Sequence, residues 1–337
     1  MAPPDGDADL GALLDLTTPW CLHVVATLGV PEHIAAGTGQ IDELAAAAKC
    51  DPDALASLMT HLVSMGVFTH DAATGRYGLN RAAEDLRAAA PFLNLYGIGS
   101  RFALAWGSLL AYVRTGRPAY DQLFGRPFWD DLAAHPSLAA EFDSLMGPAG
   151  HGPLDYDIEL ADGWDGVRTV VDVGGGTGSL LAELLRRHPD VRGTLVDLPG
   201  TVRRAANKFD RAGVAERVTR VGQSFFDPLP AGADLYLLKS VLNDWPERET
   251  VAILRRCAEA VASSADGRIA VLGGVTPDDV PPRLTIEMVL VGGKTNSLAG
   301  FRELVRTVGL EVRAAGVQAS GRFVVELARA DRPVEGA

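Results

Sequence analysis

The sequence predicts an α/β protein with a doubly wound, mostly parallel sheet that follows a helical N-terminal domain with a winged-helix pattern. From about Val167 onward, short apolar runs alternate with amphipathic stretches; the runs are VRTVVDV, GTLVDL, RVTRV, ADLYLLK and GRIAVLG. Such alternation is typical of parallel strands covered by helices. The segment from Ile41 to Asn80 instead indicates a helix, a turn, a second helix and a hairpin.

The N-terminal elements follow from spacing and capping. Either Asp51 or Asp53 can cap the second helix, and Gly66 is placed to end it. Its apolar positions recur at helical spacing, at Leu55, Leu58, Leu62 and Met65. This helix has no Lys or Arg, which a reader of phosphates and guanine edges needs. A structural or dimerisation role is therefore favoured over DNA binding.

Size, charge and cysteine spacing limit the classes of function that the chain can have. The 337 residues carry a formal net charge of −12, which opposes binding to nucleic acid and favours a neutral or cationic small partner. No apolar run approaches the ~20 residues of a membrane span, and the acidic start MAPPDGDADL is unlike a secretory signal, so a cytoplasmic protein is expected. Cys21, Cys50 and Cys257 show no zinc spacing and are expected to be reduced structural thiols.

The chain is expected to divide into three parts. A winged-helix-like domain would span residues 1–90, a helical, aromatic-rich region 91–160, and an α/β domain 161–331. The closing segments LEVRAAGV and GRFVVELAR predict an antiparallel pair at the sheet edge.

The most informative segment is VVDVGGGTGSLLAELL, in which a buried strand runs through a glycine turn into a helix. Gly174, Gly176 and Gly178 allow a sharp bend and a close backbone approach to a ligand. Asp197 ends the next strand, 19 residues after Gly178, where an acid can accept hydrogen bonds from both ribose hydroxyls. The pattern therefore predicts an adenosine-containing cofactor.

Asp172 decides between the cofactors that contain adenosine. A nicotinamide dinucleotide needs G-x-G-x-x-G/A, whereas Ser179 occupies the third glycine position here. Asp172 would repel a pyrophosphate but would hold the ammonium group of a methionine-like moiety. S-adenosylmethionine is therefore predicted, with a dinucleotide site and a purely structural turn as the alternatives.

Five markers follow one another along the chain: the winged helix, VVDVGGGTG, SFFDPLP, LLKSVLNDWPERETVAILRRCAEAV and GGK. With these markers the sequence resembles, over nearly its whole length, the caffeate-type O-methyltransferase family, including bacterial members that modify aromatic antibiotics. The resemblance implies the fold of that family and interlocked homodimers. The cofactor positions that it implies are Asp172, Gly174, Gly176, Asp197, Leu198, Ser224, Phe225 and Lys239, with Ser224 standing where many relatives have Asp. The aromatic side chains of the region 91–160 are expected to belong mostly to the core, with a minority that line an acceptor-binding pocket.

The sequence departs from the family at its acid/base group. Relatives that methylate phenols have His in L-H-D-W, whereas this chain has Asn243. The two glutamates that orient that histidine match Gly273 and Thr295. A neutral amide can hydrogen-bond an acceptor oxygen but cannot act as a base near pH 7. A base contributes ~10²–10⁴ in rate and positioning ~7–11 kcal/mol, so methyl transfer to an already nucleophilic acceptor remains possible.

Other site residues are hypotheses with structural alternatives. His151 is a candidate substitute base or else an exposed loop histidine, and Tyr156, Met146 and Met288 either face the acceptor or belong to the core. Asn243 either contacts the acceptor or caps the helix near Pro246, a role for which Asp244 competes.

The leading prediction is a homodimeric S-adenosylmethionine-dependent methyltransferase that acts on a small aromatic metabolite in specialised, antibiotic-type biosynthesis. Methylation at oxygen, carbon or nitrogen stays open. One alternative is a relative that keeps the cofactor but catalyses hydroxylation, decarboxylation or cyclisation. Another is a non-catalytic regulator built on the winged helix.

Overall fold

The computed structural model describes residues 8–146, 158–264 and 266–330, which divide after Leu104 into two compact units. Within the described residues, no helix is long and apolar enough to cross a membrane. The three-part division expected from the sequence remains a prediction.

The first unit is helical with one small hairpin. Its helices are α1 (Leu10–Leu13), α2 (Thr17–Thr27), α3 (Val30–Ala35), α4 (Ile41–Ala48), α5 (Pro52–Ser64), α6 (Arg81–Leu93) and α7 (Ile98–Ala105). Strands β1 (Phe68–Asp71) and β2 (Arg76–Leu79) pair antiparallel, which confirms the predicted helix, turn, helix and hairpin. Asp51 is the residue that caps α5, accepting a hydrogen bond from the Ala54 amide at 2.8 Å. The core is built around Val25, Val30, Leu44, Met59 and Leu62.

The second unit contains a seven-stranded sheet. Its strands are β3 (Thr169–Val173), β4 (Arg192–Asp197), β5 (Val218–Gly222), β6 (Leu235–Lys239), β7 (Arg268–Leu272), β10 (Leu310–Val317) and β11 (Phe323–Arg329). Their order is β10-β11-β7-β6-β3-β4-β5, with β3 to β7 parallel and the last two strands antiparallel. The predicted antiparallel edge pair is confirmed. A separate short pair joins β8 (Val275–Thr276) and β9 (Asn296–Ser297).

The helices of this unit are α8 (Leu109–Thr115), α9 (Tyr120–Phe124), α10 (Phe128–Ala134), α11 (Pro136–Leu145), α12 (Ser179–Arg187), α13 (Pro199–Arg211), α14 (Glu247–Val261), α15 (Ile286–Val291) and α16 (Leu298–Arg306). Helices α12, α13, α14 and α16 contact the strands of the sheet. Alternate strand residues enter two separate cores: Val171 and Val173 pack in one, and Val170 packs in the other. Because successive side chains point to opposite faces, the sheet is buried on both sides.

The strand order locates the ligand-binding edge. From β3 the chain moves outward to β4 and β5, and then returns to β6 on the other side of β3. Ligands of doubly wound sheets bind beyond the carboxyl ends of the strands at such a reversal. The glycine turn lies at this point, directly after β3.

Candidate active site

The glycine turn joins β3 to α12 in a left-handed conformation. Gly174, Gly176 and Gly178 have φ of 67°, 61° and 75°. A Cβ at Gly174 would lie 2.8 Å from Val241 Cγ2, and one at Gly178 would overlap the ring of Phe209. A Cβ at Gly176 would have no atom within 4 Å. The turn is thus packed at both ends, and the position of Gly176 faces open space that a ligand can fill.

Asp197 is tied to this turn. Its Oδ2 accepts the Gly176 amide at 2.8 Å, and its Oδ1 accepts the Leu198 amide at 2.7 Å. Burial raises the pKa of Asp197, and the two amide hydrogen bonds lower it. Each carboxylate oxygen keeps a second acceptor site, so the group can still receive two hydroxyl hydrogens.

Asp172 is almost fully buried, with 1% of its surface exposed. Burial raises its pKa to about 7, while Lys239 lowers the pKa and Asp197 raises it. Its Oδ2 has no hydrogen-bond partner among the described residues. A buried, partnerless carboxylate oxygen is unfavourable unless a cation or donor completes it. The ammonium group of a methionine moiety fits this requirement.

The remaining cofactor positions lie at the same edge. Lys239 ends β6, and its pKa is lowered by burial and by Arg322 and raised by Asp172. Ser224 and Phe225 follow β5, where Ser224 Oγ accepts the Phe226 amide at 3.2 Å. The ring of Phe225 would lie 3.3 Å from a Cβ at Gly174. Leu198, 51% exposed, follows β4.

Asn243 lies in a 3₁₀ turn, Leu242–Asp244, just beyond β6. Its Nδ2 donates to Asp244 Oδ1 at 2.8 Å, and its Oδ1 is buried without a partner in the described part of the chain. Helix α14 begins at Glu247 after Pro246 without a side-chain cap, so neither Asn243 nor Asp244 caps it. The capping alternative is therefore excluded.

Gly273 and Asp244 are neighbours of the Asn243 amide. A Cβ at Gly273 would lie 3.5 Å from Asn243 Oδ1, so a longer side chain there would reach the amide. Burial raises the pKa of Asp244 to about 8, and the charge of Glu287 on α15 adds to this effect.

The two candidate methionines lie within the described part of the chain. Met288 is half-buried on α15, which packs against the turn that holds Asn243. Met146 is half-buried at the end of α11. His151 and Tyr156 lie outside the described residues.

Several contacts around the turn had no local signal in the sequence. Lys208 Nζ donates to Thr177 Oγ1 at 2.7 Å and to Ser179 Oγ at 2.5 Å. Four residues earlier on α13, Arg204 pairs with Asp143 of α11. The spacing of Arg204 and Lys208 places them on one helix face, but only the fold shows what that face meets.

The fold and this site define an S-adenosylmethionine-dependent methyltransferase. An O-methyltransferase domain model matches residues 106–311, and an O-methyltransferase dimerisation domain model matches residues 12–88. The chain belongs to this O-methyltransferase family, and S-adenosylmethionine is its cofactor.

The chain is similar to two Streptomyces enzymes and to one crystal structure. The chain is 43% identical to the 2,7-dihydroxy-5-methyl-1-naphthoate 7-O-methyltransferase of Streptomyces carzinostaticus, over 91% of this chain and 93% of the relative. It is 41% identical to the aclacinomycin 10-hydroxylase RdmB of Streptomyces purpurascens, over 81% and 74%. The crystal structure of NcsB1, an O-methyltransferase of neocarzinostatin biosynthesis in complex with S-adenosylmethionine and 2-hydroxy-5-methyl naphthoic acid, superposes with a TM-score of 0.87 at 42% identity, covering 96% of this chain and 99% of that one.

Proposed function

We propose that this protein transfers a methyl group from S-adenosylmethionine to a hydroxyl group of a small aromatic acid of the naphthoate type, in an antibiotic-type biosynthetic pathway. The observation that carries the proposal is the buried, unpartnered amide oxygen of Asn243, one short turn beyond the strand that ends at Lys239. The naphthoate substrate of one relative and the naphthoic acid bound to NcsB1 support the acceptor class.

The cofactor would be held by the residues at the carboxyl ends of β3 to β6. Asp172 would pair with its ammonium group, Asp197 would accept from its ribose, and Phe225 would pack on its adenine. The backbone of the turn and the other strand ends complete this site, at Gly174, Gly176, Leu198, Ser224 and Lys239. The bound cofactor supplies an electrophilic methyl group on a positively charged sulfur.

Asn243 would orient the acceptor. Because Nδ2 is engaged by Asp244, the amide presents Oδ1, which accepts a hydrogen bond from an acceptor hydroxyl. The amide takes no proton near neutral pH, so the acceptor loses its proton without help from this side chain. Positioning of the two reactants, worth ~7–11 kcal/mol, then supplies most of the acceleration.

Further contacts belong to the same proposal. Met146, Tyr156 and Met288 would border the acceptor ring, and His151 would be the substitute base if one acts. The match to a dimerisation domain supports a homodimer.

Substitution of Asn243 tests its role. Asn243→Ala is expected to lower kcat/KM for a hydroxynaphthoic acid about 3- to 10-fold, as for one lost hydrogen bond, and to leave the Kd of S-adenosylhomocysteine unchanged. Asn243→His, the matched variant, is expected to add a histidine ionisation to a pH–rate profile that otherwise follows the acceptor. Unchanged kcat/KM in Asn243→Ala would contradict the role of Asn243.

A second candidate is a hydroxylation that keeps the cofactor in place without transferring its methyl group. The similarity to the aclacinomycin 10-hydroxylase favours it. Turnover that continues when S-adenosylhomocysteine replaces S-adenosylmethionine would support this reaction, since methyl transfer would then be impossible.

A further inference from the structure

Trp129, on α10, has a buried polar atom that the proposed reaction does not use. Its indole Nε1 has no hydrogen-bond partner among the residues that the structure describes. A buried donor without a partner loses its hydration and gains nothing in return, so such groups are rare. The indole ring itself is well packed, at 5.6 Å from the ring of Phe142 in an edge-to-face contact.

One set of contacts joins Trp129 to the proposed adenine position. Its ring stacks on Trp245, with centroids 5.9 Å apart and an interplanar angle of 20°. Trp245 in turn meets Phe225 edge to face at 5.8 Å. Since Phe225 borders the glycine turn, the indole lies one ring away from the side chain proposed to pack on adenine.

A second set of contacts leads from Trp129 through Phe142 of α11 towards α13, the helix that follows Asp197. Phe142 is followed by Asp143, whose Oδ2 accepts from Arg204 Nε at 2.8 Å. The charge of Asp143 is one of the causes that raise the pKa of Asp197, after burial. Trp129 thus contacts both Trp245, which meets the proposed adenine-packing ring, and Phe142, which precedes the partner of Arg204 on α13.

We propose that the Trp129 indole N–H donates a hydrogen bond to a ring nitrogen of the cofactor's adenine. Adenine presents N1, N3 and N7 as acceptors at its edges, and an aromatic enclosure suits its flat ring. Trp129 thus recognises the base, whereas Asp172 and Asp197 recognise the other two parts of the cofactor. The inference rests on the cofactor site proposed above.

The test is the Kd of S-adenosylhomocysteine measured by calorimetry. Trp129→Phe keeps an aromatic ring but removes the donor, and is expected to raise the Kd about 3- to 10-fold. Trp106→Phe is the matched control, because Trp106 is 41% exposed, and its Kd is expected to equal that of the wild type. A second variant, with benzothienylalanine at position 129, keeps the bicyclic shape without the N–H and is expected to behave like Trp129→Phe.

Three analogues, in which carbon replaces N1, N3 or N7 of the adenine, identify the acceptor atom. For the wild type, one of the three analogues is expected to have a Kd about 3- to 10-fold higher than that of S-adenosylhomocysteine. For Trp129→Phe, the same analogue and S-adenosylhomocysteine are expected to have equal Kd values. A wild-type Kd in both position-129 variants would overturn the inference while leaving the proposed function intact. Failure of the wild type to bind S-adenosylhomocysteine would overturn both.

Discussion

Asp172 combines a buried carboxyl group, a pKa near 7 and an oxygen without a partner. Because burial raises this pKa, the free protein holds the proton below about pH 7 and the charged form above it. An ammonium ligand pairs only with the charged form. Affinity for the cofactor is thus present above pH 7 and is lost as the pH falls.

The Kd of S-adenosylhomocysteine is accordingly expected to rise about tenfold from pH 8 to pH 6. Asp172→Asn keeps the shape but cannot ionise, so its Kd is expected to be higher at pH 8 and constant over this range. Calorimetric titrations across the range measure both values. The account of Asp172 fails if the wild-type Kd does not change with pH.

Comparison with Gly116, a glycine of similar backbone geometry, separates the effect of Gly176 on ligand binding from its effect on backbone strain. Gly176 and Gly116 have φ of 61° and 66°, and a Cβ at either would meet no atom within 4 Å. Alanine at either position should therefore cost roughly 1–2 kcal/mol of backbone strain. Only Gly176→Ala is expected to weaken binding of S-adenosylhomocysteine, by about tenfold or more, because its methyl group enters the proposed ligand space. If the two variants bind S-adenosylhomocysteine with equal affinity, the cofactor site does not include this turn.

Part of this site could be predicted from the sequence because its residues are close in the chain. Asp172 lies near the end of β3, directly before the glycine turn, and Asp197 ends the very next strand. The pairing of Asp143 with Arg204 and the position of Trp129 could not be predicted, since helices α10, α11 and α13 meet only through the fold. Aromatic residues in the region 91–160 suggested either core or pocket, and spacing alone could not decide which.

At the scale of elements, the β3–α12 connection depends on close packing of its last glycine. Gly178, with φ of 75°, lies so close to Phe209 of α13 that no side chain fits. Gly178→Ala should combine strain with overpacking and lower the free energy of unfolding by about 2–5 kcal/mol.

Gly213 is the matched position for this prediction. It follows α13 with φ of 68°, and a Cβ there would meet no atom within 4 Å. Gly213→Ala should show the strain alone, so urea unfolding should find it about 1–3 kcal/mol more stable than Gly178→Ala. If both variants lose the same free energy of unfolding, the close contact of Gly178 with Phe209 does not contribute to stability.

The regular elements followed directly from sequence patterns. The cap at Asp51, the β1–β2 hairpin and the β10–β11 edge pair were predictable because each depends on neighbouring residues. Asn243 was ambiguous, since Asn is both a good cap and a good ligand for an acceptor. The start of α14 at Glu247, without a side-chain cap, excludes the capping role, and the contact of Asn243 with the acceptor stays a prediction.

At the scale of the whole molecule, the proposed homodimer has a candidate contact in the first unit. Large apolar side chains are exposed at its start, at Leu10, Leu13, Leu14 and Leu16. Leu13 and Leu16 are 70% and 75% exposed, and both lie within the matched dimerisation domain, residues 12–88. Single apolar residues at a surface are ordinary, but a contiguous set favours burial by a partner.

Replacing Leu13 and Leu16 together by Asp is expected to convert the dimer to single chains in analytical ultracentrifugation, because burial of two carboxylates opposes association. Arg81→Asp is the control, since the Arg81 side chain is 96% exposed, and it should sediment like the wild type. A double variant that remains dimeric would exclude this surface as the contact.

Methyl transfer to an aromatic hydroxyl is the central claim, and mass spectrometry with trideuteromethyl-labelled S-adenosylmethionine tests it most directly. The acceptors would be a panel of hydroxynaphthoic acids, including 1,4-dihydroxy-2-naphthoic acid, which is present in one NcsB1 crystal structure. We expect a product that carries one labelled methyl group on oxygen and forms together with an equal amount of S-adenosylhomocysteine. Cofactor binding without label in any product, or an unlabelled product formed equally well with S-adenosylhomocysteine, would contradict the account.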